Sequence, residues 1–591
     1  MWGNRIENFT RHWRWWVFLF WIVSAAGLVM IRWNAIHWFT LSDTDDNLRM
    51  AQVRALLDGQ DWFDLRQYKL NPPFGADIHW SRLVDLPIAG LKLLFMPIFG
   101  GKTAETIAVA VAPMLPMLAA MLAMAGVVRR LVDPKAFILG AVLLLCAQSA
   151  RGMWIPLRLD HHGWQLALLS IVLLGLVDRK AARGGAIAGI ATAASLTIGL
   201  EMLLYLALAG AMTGLMWVRN EAQARRLAVY GASLAGGSAI GFLLFASYAN
   251  RVPVCDALSP VWLSVMVAAG ALAFLLSVSR LRSGWTRLIA AGGAGLLLAV
   301  FYVYFWPDCV GRLERATPEL QELWLSRVRE AMPLYAHGWK TIVAGLSLPL
   351  AGLAGYATML WRCRRDETRL IPWVAAAALA LLAACLLLWQ TRAGPAAQLL
   401  AVPGAAALIW LLLPWILSRT NPVVRVLGAT VLLLIFSGIG PQYVASRIPD
   451  AKPGARSGQV AEANGKCPTL ASLRPVALQP AGIVLTHVDL GPRLITVTHH
   501  KAIAGPYHRN GDDIIAVMRA FRGSAENARQ TIKRRHIDYV LICPNLSETT
   551  VYRSQAPNGF YVQLVRGQVP TWLDPVELPK NSPYRMWRVK R

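Results

Sequence analysis

Apolar runs bounded by short polar stretches recur along the chain from Trp15 to Tyr443. Most are about 17–25 residues long, enough for a helix to cross a hydrocarbon core of roughly 30 Å. The pattern predicts thirteen spans, near residues 15–33, 105–128, 135–151, 162–178, 184–200, 202–218, 227–249, 260–279, 286–306, 341–361, 371–390, 396–417 and 423–443. Two stretches fit less simply. Residues 86–99 are apolar but short and carry Lys92, which predicts a helix lying in the membrane interface. Residues 184–218 are too long for one span and basic at both ends, which predicts a hairpin with its tip near Glu201. The first run follows basic residues as a signal peptide would. It is long and no convincing cleavage site follows, so it reads as a retained signal anchor.

Past Tyr443 the pattern changes. The Pro/Gly/Ala-rich stretch "IPDAKPGARSGQVAEANGKCP" marks a domain boundary. Beyond it "GIVLTHVDLGPRLITVTHH" reads as β-strands, "SAENARQTIKRRH" as a helix and "IDYVLICPN" as a buried strand. The chain therefore divides into a membrane domain, residues 1–444, with large loops at 34–104 and 307–340, and a small α/β domain, residues 445–591.

Composition and charge fix the class. With 56% hydrophobic residues over 591 positions, the chain is not an ordinary soluble protein. The net charge of +26 is spread over the short loops, as in Arg129, Arg130 and Lys135, or Arg362, Arg364, Arg365 and Arg369. That is a positive-inside pattern and not a basic patch for nucleic acid. It places the N-terminus in the cytoplasm and the α/β domain outside, in the periplasm if the membrane is a bacterial inner membrane.

The seven cysteines follow the same sidedness. Cys146 and Cys385 fall in spans and Cys363 in a cytoplasmic loop, where thiols stay reduced. Cys255 and Cys309 follow spans that end outside, and Cys467 and Cys543 lie in the outer domain. Two disulfides, Cys255–Cys309 and Cys467–Cys543, are expected there; spacing leaves free thiols as the alternative.

Candidate chemistry clusters on the outer side. "LSDTDDNLRMAQVRALL" places Asp43, Asp45 and Asp46 directly after the first span. One aspartate would cap a helix; three repel one another unless a metal, a cation or a shared proton relieves them. Arg49 lies one helical turn from Asp45 and Asp46 and would pair with one of them. "RGMWIPLRLDHHGWQLALL" brings Arg158, Asp160, His161 and His162 to the outer end of another span, and both residue types bind metal or move protons. Two Asp-bearing motifs at one face predict a composite site. The chain has no internal repeat, Walker-type loop or zinc-ligand spacing, so ATP coupling is not expected within it.

These two motifs resemble the GT-C fold of lipid-sugar-dependent glycosyltransferases, and the membrane part is most similar to the catalytic subunit of oligosaccharyltransferase in its archaeal and bacterial forms. The resemblance implies thirteen spans and an extracytoplasmic C-terminal domain. In that family an Asp of the first outer loop is followed six residues later by Arg, matching Asp43 and Arg49. A second acidic motif matches Asp160, His161 and His162, and a Val/Ile-x-Glu motif in a long outer loop matches Val328 and Glu330. A basic residue near the eleventh span, matching Arg392, contacts the lipid phosphate. The family's Trp-Trp-Asp motif for the peptide acceptor is absent. In its place "THHKAIAGPYHRNGD" offers His499, His500, His508 and Arg509, which points away from transfer to Asn in protein.

The resemblance implies an inverting glycosyltransferase that moves a sugar from a polyprenyl-(pyro)phosphate donor to an envelope glycan, lipid or protein. Asp43 and Asp160 would be catalytic, with Asp43 as base. Asp43, Asp160 and Glu330 would hold a divalent metal, Mg or Mn, although GT-C enzymes using monophosphate lipids can work without one. Arg392, Arg158, His161 and His162 would face the donor phosphate. Asp45, Arg49, Glu201, His79, His508 and Arg509 would support these groups or meet the acceptor. Two rivals remain. A transporter or flippase of lipid-linked sugars would place ionisable groups near the bilayer midplane and often show inverted repeats. A non-catalytic polysaccharide-assembly protein would keep the fold without needing Asp43.

Overall fold

The computed structural model describes residues 2–311, 313–449 and 455–590. Nine of the described helices are long and apolar enough to cross a membrane, and the pair Pro422–Phe436 and Ile439–Arg447, bent by 82°, makes a tenth if the two form one broken span. Three shorter apolar helices, Pro134–Cys146, His162–Leu176 and Leu203–Arg219, fall on the other segments that the apolar pattern picks out. The chain is a multi-pass membrane protein. Its perimeter is apolar: the helix Gly284–Phe305 exposes Leu296, Leu297, Val300, Val303 and Phe305, which suits contact with lipid and not with water. Inside the bundle, small residues let backbones approach. A Cβ on Gly231 would lie 2.5 Å from the Gly270 carbonyl oxygen, and one on Gly270 would lie 2.5 Å from that of Gly231.

The segment expected in the interface is set apart by a glycine. The assigned helix Asp85–Val111 is broken at Gly100, whose φ of 75° suits glycine. Before the break Leu93, Leu94, Met96, Ile98 and Phe99 are exposed. Lys92, the charge that spoke against a span, is neutralised by Glu105 at 2.9 Å from beyond the break. After it the chain runs through Ala112 and Pro113 into the helix Met114–Leu131.

The C-terminal part holds a five-stranded sheet, β1 (Ile483–Leu485), β2 (Lys501–Ala502), β3 (Tyr539–Ile542), β4 (Leu573–Pro575) and β5 (Arg585–Val589), in the order β2-β1-β3-β5-β4. The first three strands are parallel, and β5 runs antiparallel to both β3 and β4. "IDYVLICPN" supplies the fully buried β3 and "SAENARQTIKRRH" the helix Ala525–Arg534, as expected. "GPRLITV" does not form a strand: it is the helix Gly491–Val497. Pro492 in the first turn favours a helix start, and the β-branched run is accommodated because the helix packs on Thr44–Leu57. Of the linker, residues 450–454 lie outside the described residues, and its continuation is the helix Ala455–Lys466.

The segment 34–104 and the sheet domain share one core. Leu48, Leu70, Ile78 and Trp80 pack with Val484, Leu494, Ala502 and Tyr539. Leu70 bridges β2 at Ala502, with Ala502 N donating to Lys69 O at 2.9 Å and Asn71 N to Ala502 O at 3.0 Å. Each fully buried Leu, Val or Ile there contributes about 1.5–3 kcal/mol relative to exposure, so the loop is part of the sheet's fold. Both cysteine pairs are brought together: Cys255 and Cys309 with Cα atoms 5.3 Å apart, and Cys467 and Cys543 at 6.4 Å. Cys146, Cys363 and Cys385 are free thiols.

Candidate active site

Asp43 begins the helix Thr44–Leu57 in extended conformation, and its Oδ1 accepts the Thr44 N–H at 2.7 Å. The capping role is therefore real. Its second oxygen does something else: Oδ2 accepts from Arg158 Nη1 at 2.8 Å, across 115 residues of sequence. The same Nη1 lies 3.4 Å from Asp46 Oδ2, and Arg158 Nη2 lies 3.3 Å from Asp160 Oδ2. One planar guanidinium thus gathers three carboxylates, which a point charge could not do equally well. Asp46 is wholly buried, and its Oδ1 accepts the backbone N–H groups of Leu159 at 2.7 Å and Asp160 at 3.0 Å, pinning the two motifs together. The loop that presents Arg158 is anchored by Leu157, a buried residue held at φ 74° with its N–H on Val109 O at 2.9 Å. A β-carbon-bearing residue in that region is uncommon and marks a constrained segment.

The second motif forms a chain of contacts. Asp160 Oδ1 lies 2.6 Å from His161 Nδ1, His161 Nε2 lies 2.9 Å from Glu201 Oε1, and Gln165 Nε2 donates to Glu201 Oε2 at 2.6 Å. His162 Nδ1 contacts Asp160 Oδ2. Glu201 does sit at the hairpin tip, between the helices Ala181–Ile198 and Leu203–Arg219. Burial works against the charge of Glu201, but His161 outweighs it and holds the carboxyl low. Burial likewise opposes an imidazolium at His161, yet Asp160 and Glu201 push it up to about 10. A folded value above the unfolded one near 6.5 contributes stability that is complete below pH ~6.5 and lost as pH rises through about 10. Melting temperature in detergent should therefore decline between pH 6.5 and 10 more steeply for the parent than for His161→Gln. Parallel curves would remove the imidazolium from the account.

The remaining acids feel their neighbours. Burial, then Asp160 and Asp43, push Asp45 well above the carboxylate range; burial raises Asp46 to about 7 although Arg158 opposes it. Asp489 of the sheet domain, solvent-accessible but walled by protein, is raised to about 6 by burial and then by the charge of Asp43. The helix Gly491–Val497 brings it there: Thr496 Oγ1 donates to Asn47 O at 2.8 Å and Arg493 Nη1 to Asn47 Oδ1 at 3.1 Å. Tyr507 OH donates to Thr44 O at 3.1 Å.

Several expected placements change. Arg49 does not pair with Asp45 or Asp46. It is fully buried, donates to Asp85 at 2.9 Å and lies 4.5 Å over the Trp80 ring, because the turn at 81–85 folds back onto its helix. Arg158 is occupied by carboxylates, and His161 is buried between Asp160 and Glu201, so neither presents itself to a donor phosphate. Glu330 lies in the exposed turn Arg329–Ala331, with no hydrogen bond or ion pair to Asp43 or Asp160 among the described residues. That turn is next to Arg392: Thr391 N donates to Met332 O at 2.8 Å, and Arg392 is exposed. The set Asp43–Asp160–Glu330 is thus not assembled as metal ligands, since Arg158 takes the place of a cation between the first two. Asp160, His161 and His162 instead offer ligand atoms within 4.8 Å of one another. His79, His508 and Arg509 meet elsewhere, around Asp256. Asp85, Asp256 and Asp489 carry no motif, and no local spacing marks them.

No family model matches the chain, and no curated protein matches its sequence. Solved structures match in fold. The archaeal oligosaccharyltransferase AglB from Archaeoglobus fulgidus, in complex with an inhibitory peptide and a dolichol-phosphate, superimposes with a TM-score of 0.69 at 15% identity, covering 96% of this chain and 73% of that one. The Archaeoglobus fulgidus enzyme tethered to an acceptor peptide with the NVT sequon gives 0.68 at 15% identity, over 98% and 76% of the chains. Its complex with Zn and sulfate gives 0.60 at 15% identity, over 88% and 67%. The chain has a GT-C, oligosaccharyltransferase-like fold.

Proposed function

We propose that this fold carries out inverting glycosyl transfer from a polyprenyl-(pyro)phosphate-linked sugar to an envelope glycan or lipid, on the extracytoplasmic face of a bacterial inner membrane. The observation that carries the reading is the gathering of Asp43, Asp46 and Asp160 on Arg158 at the membrane-proximal ends of two outer loops, with only the Asp43 side chain substantially open, at 46% exposure. The similar Archaeoglobus fulgidus structures bind a dolichol-phosphate and an acceptor peptide, which supports a lipid-phosphate donor here.

In this reading Asp43 accepts the proton of the acceptor hydroxyl as that oxygen attacks the anomeric carbon, and the lipid phosphate leaves with the bonding electrons. Arg158 aims Asp43 while Asp46 fixes the loop that carries Arg158. Arg392, exposed beside the Glu330 turn, meets the leaving phosphate. Asp160, His162 and, once its proton is displaced, His161 would hold a divalent metal, whose charge would replace that of the imidazolium; two imidazoles and one carboxylate suit Mn or Zn better than Mg. Asp45, Asp489 and Tyr507 wall the acceptor side. The missing Trp-Trp-Asp motif favours a glycan or lipid acceptor over a protein. The N-terminus is cytoplasmic and residues 445–591 are periplasmic. The ionisable cluster belongs to the outer loops and not to helix midpoints, which favours transfer over transport.

Mass spectrometry of membrane lipids and envelope glycans from a strain lacking the gene tests this. Lipid-linked sugar should accumulate and one glycan modification should disappear. Unchanged profiles of both contradict transfer.

A further inference from the structure

We propose that His79, Asp256 and His508 form a second divalent-cation site, of zinc type, that clasps the outer domain to the membrane domain. The three come from the first outer loop, the loop between the helices Ala224–Phe245 and Pro260–Val278, and the sheet domain. Their ligand atoms lie within 4.8 Å of one another. His508 Nε2 is 2.6 Å from Asp256 Oδ2, and the His79 and His508 rings are 4.6 Å apart. Zinc–ligand bonds of about 2.0–2.1 Å put tetrahedral donor atoms roughly 3.4 Å apart, so small side-chain rotations close the set.

An ion pair alone does not explain the cluster. Arg509 Nε and Nη2 donate to the two Asp256 oxygens at 2.7 and 2.6 Å, and this already neutralises the carboxylate. It also resembles the outer-shell support that orients a ligating carboxylate. His79 adds nothing to that pair, yet its ring packs tilted against that of His508, and its Nδ1 is shielded from solvent with no hydrogen-bond partner among the described residues. Two imidazoles and a carboxylate that bring ligand atoms this close are a donor set for a borderline metal. Asp256 follows Cys255 of the first disulfide, which steadies the loop that supplies it. Asp256, His508 and Arg509 line a cleft of about 900 Å³ that also carries Tyr68, Tyr248 and Asp64, so a fourth coordination position is open to a small ligand. The inference is independent of the glycosyl-transfer reading.

Zinc binding to the purified, chelator-stripped protein in detergent tests it, with stoichiometry by elemental mass spectrometry and affinity by competition with a chromophoric chelator. A His162→Ala background removes the cluster at Asp160 from the count. That background should bind one zinc per chain, and zinc should raise its melting temperature. Adding His79→Ala, which leaves the Asp256–Arg509 pair intact, should weaken binding by at least about tenfold, and so should His508→Gln. No zinc bound by the His162→Ala protein, or equal affinity with and without His79, overturns the site and leaves an ion-pair clasp.

Discussion

Asp43→Asn should lower sugar transfer by about 10²–10⁴-fold, the usual contribution of a general base, while the protein still folds and inserts. Asn caps a helix about as well as Asp, so the bond from Thr44 N survives the change. What disappears is the negative charge and the ability to take a proton. The Asn NH2 group then faces Arg158 and cannot accept from it, so the loop at 152–161 is held by Asp46, whose Oδ1 accepts the Leu159 and Asp160 N–H groups. Transfer assays on membranes containing equal amounts of parent and variant read this directly. Near-parental transfer by Asp43→Asn would reduce Asp43 to a cap and return the non-catalytic reading.

Arg158→Ala should be the most destabilising single change at the site, by roughly 3–5 kcal/mol, because removing one partner leaves buried charge without compensation. Arg158 is 13% exposed at its side chain, while Asp46 and Asp160 are 0% and 1% exposed there. Asp160 keeps His161 and His162, and Asp46 keeps two backbone N–H groups, so the fold should weaken without collapsing. Arg158→Lys should recover only part of the loss, since one ammonium cannot reach three carboxylates in fork geometry. Thermal unfolding in detergent is the measurement. A melting temperature for Arg158→Ala equal to the parent's would mean that the three carboxylates do not depend on Arg158.

What the sequence revealed about this site, and what it hid, follows from the range of the interactions. Apolar runs mark the segments that fold as long helices, and the sidedness they imply groups the cysteines, so the helical segments and the cysteine pairs were legible. Asp43 and Asp160 stood out because carboxylates directly after apolar runs need a reason. The partners of those acids were not legible. Reading Arg49 against Asp45 or Asp46 used helix spacing, but Asp85 lies 36 residues away and meets Arg49 only through tertiary folding. Sequence alone does not separate Arg158 as a phosphate ligand from Arg158 as a carboxylate partner, because a lone arginine beside an acidic motif gives no sign of which carboxylates it will meet. "GPRLITV" shows the same limit: its β-branched residues favour a strand locally, and packing on the Thr44–Leu57 helix decides otherwise.

The central claim is transfer driven by Asp43 at a lipid-phosphate donor. Its most direct test is the release of free polyprenyl phosphate or pyrophosphate by the purified protein. The protein would be given lipid-linked sugars extracted from its own host membranes and the envelope glycan fraction as acceptor. The account predicts release that requires the acceptor, matches sugar gained by it, and falls to background with Asp43→Asn. Lipid-linked sugar that stays intact while crossing a reconstituted bilayer at the same rate with Asp43→Asn would contradict it.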